Sequence, residues 1–183
     1  TNSLALKCGI LGGLISVGAK SFDLGKSFYS QMFYYSIFCD TDIVIFISGG
    51  ESGVSLSLCE KGGVALSRAN SRKLELILKR NEFKRCAGGD CQSVSVIDSI
   101  SEMYINEICR QFDDLKILQF SCLFLCGNQI SEQCVKRVFS RLGIKNENED
   151  FIFKINNLGT KITVIEKSIS FPHEKILAVV AHN

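Results

Sequence analysis

Apolar and polar positions alternate loosely from Ser3 to Cys8, Gly9 and Gly12-Gly13 then punctuate the chain, and Leu14 to Val17 is apolar again. This pattern predicts an opening β-hairpin. Phe28 to Cys39 and Asp42 to Ser48 are rich in aromatic and β-branched residues and are separated by Asp40-Thr41-Asp42, which predicts a second hairpin. The strand Ile43 to Ile47 runs into Ser48-Gly49-Gly50-Glu51-Ser52-Gly53, where a glycine-rich turn is expected to lead into a helix. Beyond it, Val54, Leu56 and Leu58 alternate with serines as in a strand, whereas Leu74, Ile77 and Leu78 have helical spacing. Gly62-Gly63 is expected to break or kink this region, and the polar stretch from Arg80 to Asp90 to form a surface connection.

The clearest helical stripe is Ile97, Ile100, Tyr104, Ile108 and Phe112, which predicts a helix over 94–112. Leu115 to Cys126 is a nearly unbroken apolar run, so a strand central in its sheet is expected. Ser131 is expected to cap a helix through Leu142 that buries Val135, Val138, Phe139 and Leu142 and stops at Gly143. A terminal hairpin, Phe151 to Ile155 and Lys161 to Ile165 about Asn156-Asn157-Leu158-Gly159, and an edge strand at 176–181 complete the pattern. Grouped strands and helices predict an α+β protein of two face-to-face sheets with helices outside, in a single domain over 1–183.

Composition narrows the function. The 183 residues are 46% hydrophobic and 22% charged, with a mean hydropathy of +0.18, which excludes a disordered chain. A net charge of +2 and a pI near 8.0 give no electrostatic reason to expect nucleic acid or an anionic membrane as partner. No apolar run reaches the ~18 residues of a membrane helix, so a soluble chain is expected, and no secretory signal is present in the residues given. Few charges on so apolar a chain favour a subunit of an assembly.

Nine cysteines, an odd number with no CxxC pair, fit reduced thiols in the cytosol or nucleus better than a disulfide framework. Cys86 and Cys91 could supply two metal ligands, but zinc wants four, and the only histidines, His173 and His182, lie at the far end. No cofactor or metal is therefore expected. The Ser48 to Gly53 turn could cradle a phosphate, but it lacks the P-loop lysine, and Glu51 would repel an anion. The carboxylates Asp113-Asp114 and Glu147, Glu149 and Asp150 fall in polar loops and are expected to be solvated. Thr1 is the remaining catalytic candidate, because an N-terminal threonine can use its own amine as base.

The stretch Thr1-Asn-Ser-Leu-Ala-Leu-Lys7, the small apolar segment Gly13 to Ala19, Asp42-Ile-Val-Ile-Phe-Ile-Ser-Gly-Gly50, the helix around Met103-Tyr104 and Leu123-Phe-Leu-Cys-Gly127 together resemble a proteasome β-type subunit, of the N-terminal-nucleophile hydrolase family. The resemblance implies a four-layer αββα sandwich of mainly antiparallel sheets. It also implies α and β subunits as ring partners, a cytoplasmic and nuclear location, and a part in ubiquitin-dependent protein degradation. Where active members carry an acidic residue and a lysine, this chain has Ala19-Lys20-Ser21 and Phe33-Tyr34-Tyr35-Ser36. It is thus expected to be a structural, non-catalytic subunit with no catalytic residue of its own. The alternatives are an active threonine peptidase with Thr1 as nucleophile, aided by Lys20 or Lys26, and an unrelated α/β ligand-binding domain using Gly49-Gly50.

Overall fold

The computed structural model describes residues 2–50, 53–112, 121–147 and 151–182. Helix α1 is Asn2–Ser16, β1 Ser21–Asp23, α2 Tyr29–Phe38, β2 Ile43–Gly50, β3 Gly53–Glu60, β4 Val64–Ala65, α3 Arg68–Arg80 and β5 Val94–Val96. There follow α4 (Ile100–Gln111), β6 (Leu123–Cys126), α5 (Gln129–Leu142), β7 (Phe151–Ile155), β8 (Ile162–Glu166), β9 (Ile169–Phe171) and α6 (His173–His182). The chain divides into two compact units, one of residues 1–25 and 32–98, the other of 26–31 and 99–183.

In the first unit β1 pairs with β5 in parallel, and β2, β3 and β4 form an antiparallel sheet. In the second, the sheet order is β6-β7-β8-β9, with β6 and β7 parallel and the other pairs antiparallel. This corrects the expected four-layer αββα sandwich: the fold is a mixed α/β arrangement of small sheets that includes parallel pairs. The α+β ordering of grouped strands and helices began with two opening hairpins, and neither forms as predicted, because 2–16 and 29–38 are helices.

Helix α1 hid its period because apolar residues occur on its exposed face as well and glycines interrupt the pattern. Its half-buried residues Ser3, Lys7, Ile10, Leu11, Leu14 and Ile15 still follow the helical repeat, while Gly9, Gly12 and Gly13 lie on the exposed side. Around α2 the buried positions are Phe28, Gln31, Met32, Tyr35 and Ser36, again helical spacing, but two of the five are polar and the apolar Ile37 and Phe38 are exposed. Gln31 is tolerated inside because its Nε2 donates to Ser101 Oγ at 3.1 Å and its Oε1 accepts from the Phe28 amide at 3.5 Å. The helix predicted after Gly50 is instead strand β3, as the alternation of Val54, Leu56 and Leu58 suggested. The predicted helix over 94–112 begins only at Ile100, since Val94–Val96 pairs with β1. Residues 176–181, expected as an edge strand, belong to α6. Of the predicted central strand, 115–120 lies outside the described residues, and β6 is an edge of the described sheet.

The core of the second unit gathers Phe28, Ile105, Cys134 and Val138, with Tyr104, Ile108 and Phe139 packed around them. Helix α5 is capped by Asn128 rather than Ser131: the Asn128 side chain accepts from the Ser131 amide at 2.8 Å, and Gly143 ends the helix at φ 71°. Arg137 and Arg141 on α5 both pair with Glu102 on α4, the latter at 3.2 Å.

In the first unit, Lys7 Nζ lies 2.6 Å from Asp23 Oδ2, and Asp23 Oδ1 accepts the Gly25 amide at 2.9 Å. Burial raises the Asp23 pKa, but the Lys7 bond and the Gly25 amide outweigh it and leave the carboxyl below its ordinary range. A carboxylate depressed in the folded state contributes stability above its unfolded pKa of about 3.9 and loses it as pH falls through the folded value. Lys7→Met should therefore cost about 1 kcal/mol at pH 7 and less near pH 2, as protonation of Asp23 weakens the pair. Urea midpoints at the two pH values check this, and an equal cost at both would show that the pair contributes nothing.

Candidate functional site

The β2–β3 hairpin places hydroxyls and bare backbone side by side. Its register runs from Ile43↔Glu60 to Gly50↔Gly53, which sets Ser48 opposite Ser55. Their Oγ atoms are 2.6 Å apart, a hydrogen bond in which either hydroxyl can donate, on the exposed surface. Next to them Gly49 presents backbone with almost nothing over it: a Cβ there would meet only Ser3 Cβ, at 4.0 Å. Glu51 and Ser52 lie outside the described residues. The hairpin end offers hydroxyl donors and acceptors together with accessible peptide groups, which suits hydrogen bonding to an oxygen-rich small molecule.

The opposite end of the same hairpin borders a cleft of about 360 Å³ lined by Thr41, Asp42, Ile43, Glu60, Lys61, Val64 and Asn70. Glu60 accepts Asn70 Nδ2 at 2.9 Å and the Ser67 amide at 3.3 Å, and these bonds hold its carboxyl below the ordinary range. Lys61 pairs with Asp40 and lowers that carboxyl in turn. With Lys61 so engaged and Asp42 and Glu60 facing the space, this cleft repels anions. In the second unit a cavity of about 210 Å³ is lined by Phe28, Tyr104, Phe124, Val138 and Phe139, with Ser30, Ser131 and Cys134. Burial raises the Tyr104 hydroxyl and pushes the Cys134 thiol up to about 11, so both are neutral at physiological pH.

Among the described residues, those singled out from the sequence are not assembled into one centre. Thr1, Asp113, Asp114, Glu149 and Asp150 lie outside the described residues, and Glu147 is exposed in a loop. Lys20 stands over the Phe22 ring at 5.2 Å, and Lys26 is exposed. Tyr35 is buried in α2, its hydroxyl pushed up to about 12 by burial and by the Cys39 thiol. His173 accepts the Ile162 amide on Nδ1 at 3.4 Å, and His182 ends α6. Among the described residues no group of three or more His, Cys, Asp or Glu side chains could hold a metal ion. Cys86 and Cys91 are brought together, with their sulfurs 3.6 Å apart. The Ser48–Ser55 pairing was not anticipated; the alternation at 54–58 was its signal, since a strand there fixes Ser55 across from Ser48.

No protein-family model and no curated protein matches the sequence. Among solved structures, the chain is similar to a phosphoglucomutase/phosphomannomutase family protein from Burkholderia thailandensis, with a TM-score of 0.71 and 15% identity over 89% of this chain. The likeness is one of fold. It covers 43% of the Burkholderia chain, so this chain spans under half of that protein's length.

This overturns the resemblance to a proteasome β-type subunit and the structural ring-building function that came with it. The quoted segments that carried the resemblance take other forms: Thr1 to Lys7 and Gly13 to Ala19 were matched as strands, yet 2–16 is one helix, and Gly49-Gly50 ends a strand of a hairpin rather than opening a long helix. Apolar runs with small residues occur in helices and strands alike, so matching them by composition aligned unlike elements. Among the described residues no helix is long and apolar enough to cross a membrane.

Proposed function

We propose that this chain is a ligand-binding α/β portion of a protein of the phosphoglucomutase/phosphomannomutase kind, and that its ligand is a hexose phosphate. The observation that carries the reading is the fold likeness to the Burkholderia protein across 89% of the chain. The Ser48 and Ser55 hydroxyls beside Gly49 supply groups that hydrogen-bond sugar or phosphate oxygens, and the acidic cleft at Glu60 does not suit such a ligand. A reducing cytoplasm, which suits a chain of nine cysteines with no disulfide framework, is the setting that goes with it.

Thermal-shift and calorimetric titration with glucose 1-phosphate and mannose 1-phosphate, against glucose alone, tests the reading. A ligand at ten times its Kd stabilises the folded chain by about 1.4 kcal/mol. The Ser48→Ala/Ser55→Ala double variant should bind about tenfold more weakly with its own stability little changed, as expected for losing hydrogen bonds at an exposed position. No shift with either hexose phosphate would refute the function, and full binding by the double variant would remove the hairpin from the site.

A further inference from the structure

Cys86 and Cys91 close a short turn, Cys86-Ala-Gly-Gly-Asp-Cys91, built around a tight helical turn at Gly88–Asp90. The Asp90 amide donates to Ala87 O at 2.9 Å, and the two sulfurs face each other at 3.6 Å. The turn is seated on the end of α1. The Cys86 amide donates to Ser16 O at 2.9 Å, the Cys86 thiol reaches Ile15 O at 3.8 Å, and Gly18, at φ +73°, fits so closely that a Cβ would lie 3.1 Å from Asp90 O and 3.5 Å from Cys86 Sγ. The outer side of the turn is open, because a Cβ on Gly88 or Gly89 would meet nothing within 4 Å. Both ends of the turn are therefore seated, Cys86 on the end of α1 and Asp90 against Gly18, while Gly88 and Gly89 in its middle have room to move.

The geometry points to a thiol–disulfide exchange site: Cys86 and Cys91 form a reversible dithiol/disulfide pair that reacts with low-molecular-weight disulfides of the glutathione type. The sulfurs must close by roughly 1.5 Å to reach the ~2.05 Å bond, a movement the open turn permits. Cys91 is the exposed sulfur and meets the reagent; Cys86 is half-buried behind it. The Cys91 thiolate attacks one sulfur of the small disulfide, forming a mixed disulfide and expelling one thiolate. The Cys86 thiolate then attacks Cys91 Sγ, forming the intramolecular bond and expelling the second thiolate. Two electrons pass from the protein pair to the small disulfide, and the two thiol protons end on the two small thiols released. Desolvation and the Cys91 thiol both raise the Cys86 pKa, which lowers its thiolate fraction and disfavours it as the first attacker; in the second step its target sulfur is already in contact, and that proximity carries the reaction. Oxidation also removes the S–H that Cys86 directs at Ile15 O, so the end of α1 changes its contacts with the redox state of the turn.

The test is to incubate the intact chain with oxidised glutathione, quench with an alkylating agent and map every cysteine by mass. The expected result is a disulfide between Cys86 and Cys91 that dithiothreitol reverses, formed roughly tenfold faster than in urea-unfolded chain, while the other seven thiols stay alkylatable. In Cys86→Ser the reaction should stop at one glutathione on Cys91. A wild-type protein that keeps both thiols, holds glutathione on Cys91 without closing the ring, or loses thiols evenly across the chain would overturn the proposal. Modification of Cys86 rather than Cys91 would overturn the order of attack. The wild-type map decides the matter even if Cys86→Ser does not fold.

Discussion

Replacing Gly127 by alanine is expected to destabilise the second unit by about 3 kcal/mol or to prevent its folding. Gly127 joins β6 to α5, and its amide donates to Ile155 O at 2.9 Å, which holds it against the turn between β7 and β8. A Cβ at this point would lie 2.1 Å from Asn157 Oδ1, 2.6 Å from the Asn157 amide nitrogen and 2.9 Å from the Asn156 carbonyl carbon. The Asn157 side chain can swing aside, but the two backbone atoms cannot move without opening the turn. That turn is itself fixed, since Asn156 Oδ1 accepts the amides of Thr160 at 2.8 Å and Lys161 at 3.0 Å. Asn128 adds to the cost, because it caps α5 and also donates to Asn157 O. Urea denaturation of Gly127→Ala beside Gly88→Ala, whose Cβ meets nothing, separates close approach from the general effect of losing a glycine. Equal midpoints for the two variants would contradict this account of Gly127.

Ile105→Ala should cost about 3 to 4 kcal/mol, because the side chain is fully enclosed and its removal leaves a hole that the surroundings cannot fill. Ile105 is 0% exposed and lies among Phe28, Cys134 and Val138. Collapse is resisted from several directions. The Phe28 and Tyr104 rings meet edge to face at 5.6 Å, and the pairing of Glu102 with Arg137 and Arg141 fixes α4 against α5. Ile105→Val should cost only about 1 kcal/mol, and Leu125→Ala, at a side chain 43% exposed, less still. The three urea midpoints, at unchanged slope, rank the positions. A loss under about 1 kcal/mol for Ile105→Ala would mean that the α4–α5 core closes over the gap.

Ile105 also shows how far periodicity can be read. The stripe Ile97, Ile100, Tyr104, Ile108 and Phe112 located the helix and its buried face, yet it omitted the most enclosed residue and began too early. Ile100 is 3% exposed as that stripe requires, whereas Phe112 is 37% exposed beyond the end of α4. Helix α5, its stop at Gly143 and the β7–β8 hairpin were legible because each combines an amphipathic or alternating pattern with a turn residue that permits one backbone path. The candidate site was legible only in its ingredients. Ser48 and Gly49 were visible as a glycine-rich turn, but the Ser55 partner depends on a cross-strand register that no local pattern states.

By itself, the sequence determined a folded chain with no apolar run long enough for a membrane helix, helices around Tyr104 and Val138, a terminal hairpin and a surface connection before Cys91. Composition and local periodicity suffice for these, since each is settled by residues close together along the chain. Tertiary structure decided the rest. Residues 2–16 and 29–38 are helices because their half-buried and buried faces follow a helical repeat, even where those faces carry Lys7, Gln31 and Ser36. Each of those polar residues has a partner far along the chain or on its own turn: Asp23 for Lys7, Ser101 for Gln31, and for Ser36 the Gly62 amide, which donates to its hydroxyl at 2.9 Å. A polar residue reads as surface until its partner is known. The parallel pairs β1–β5 and β6–β7 have the same origin, since strands that pair across long intervening segments leave no mark in the residues between them.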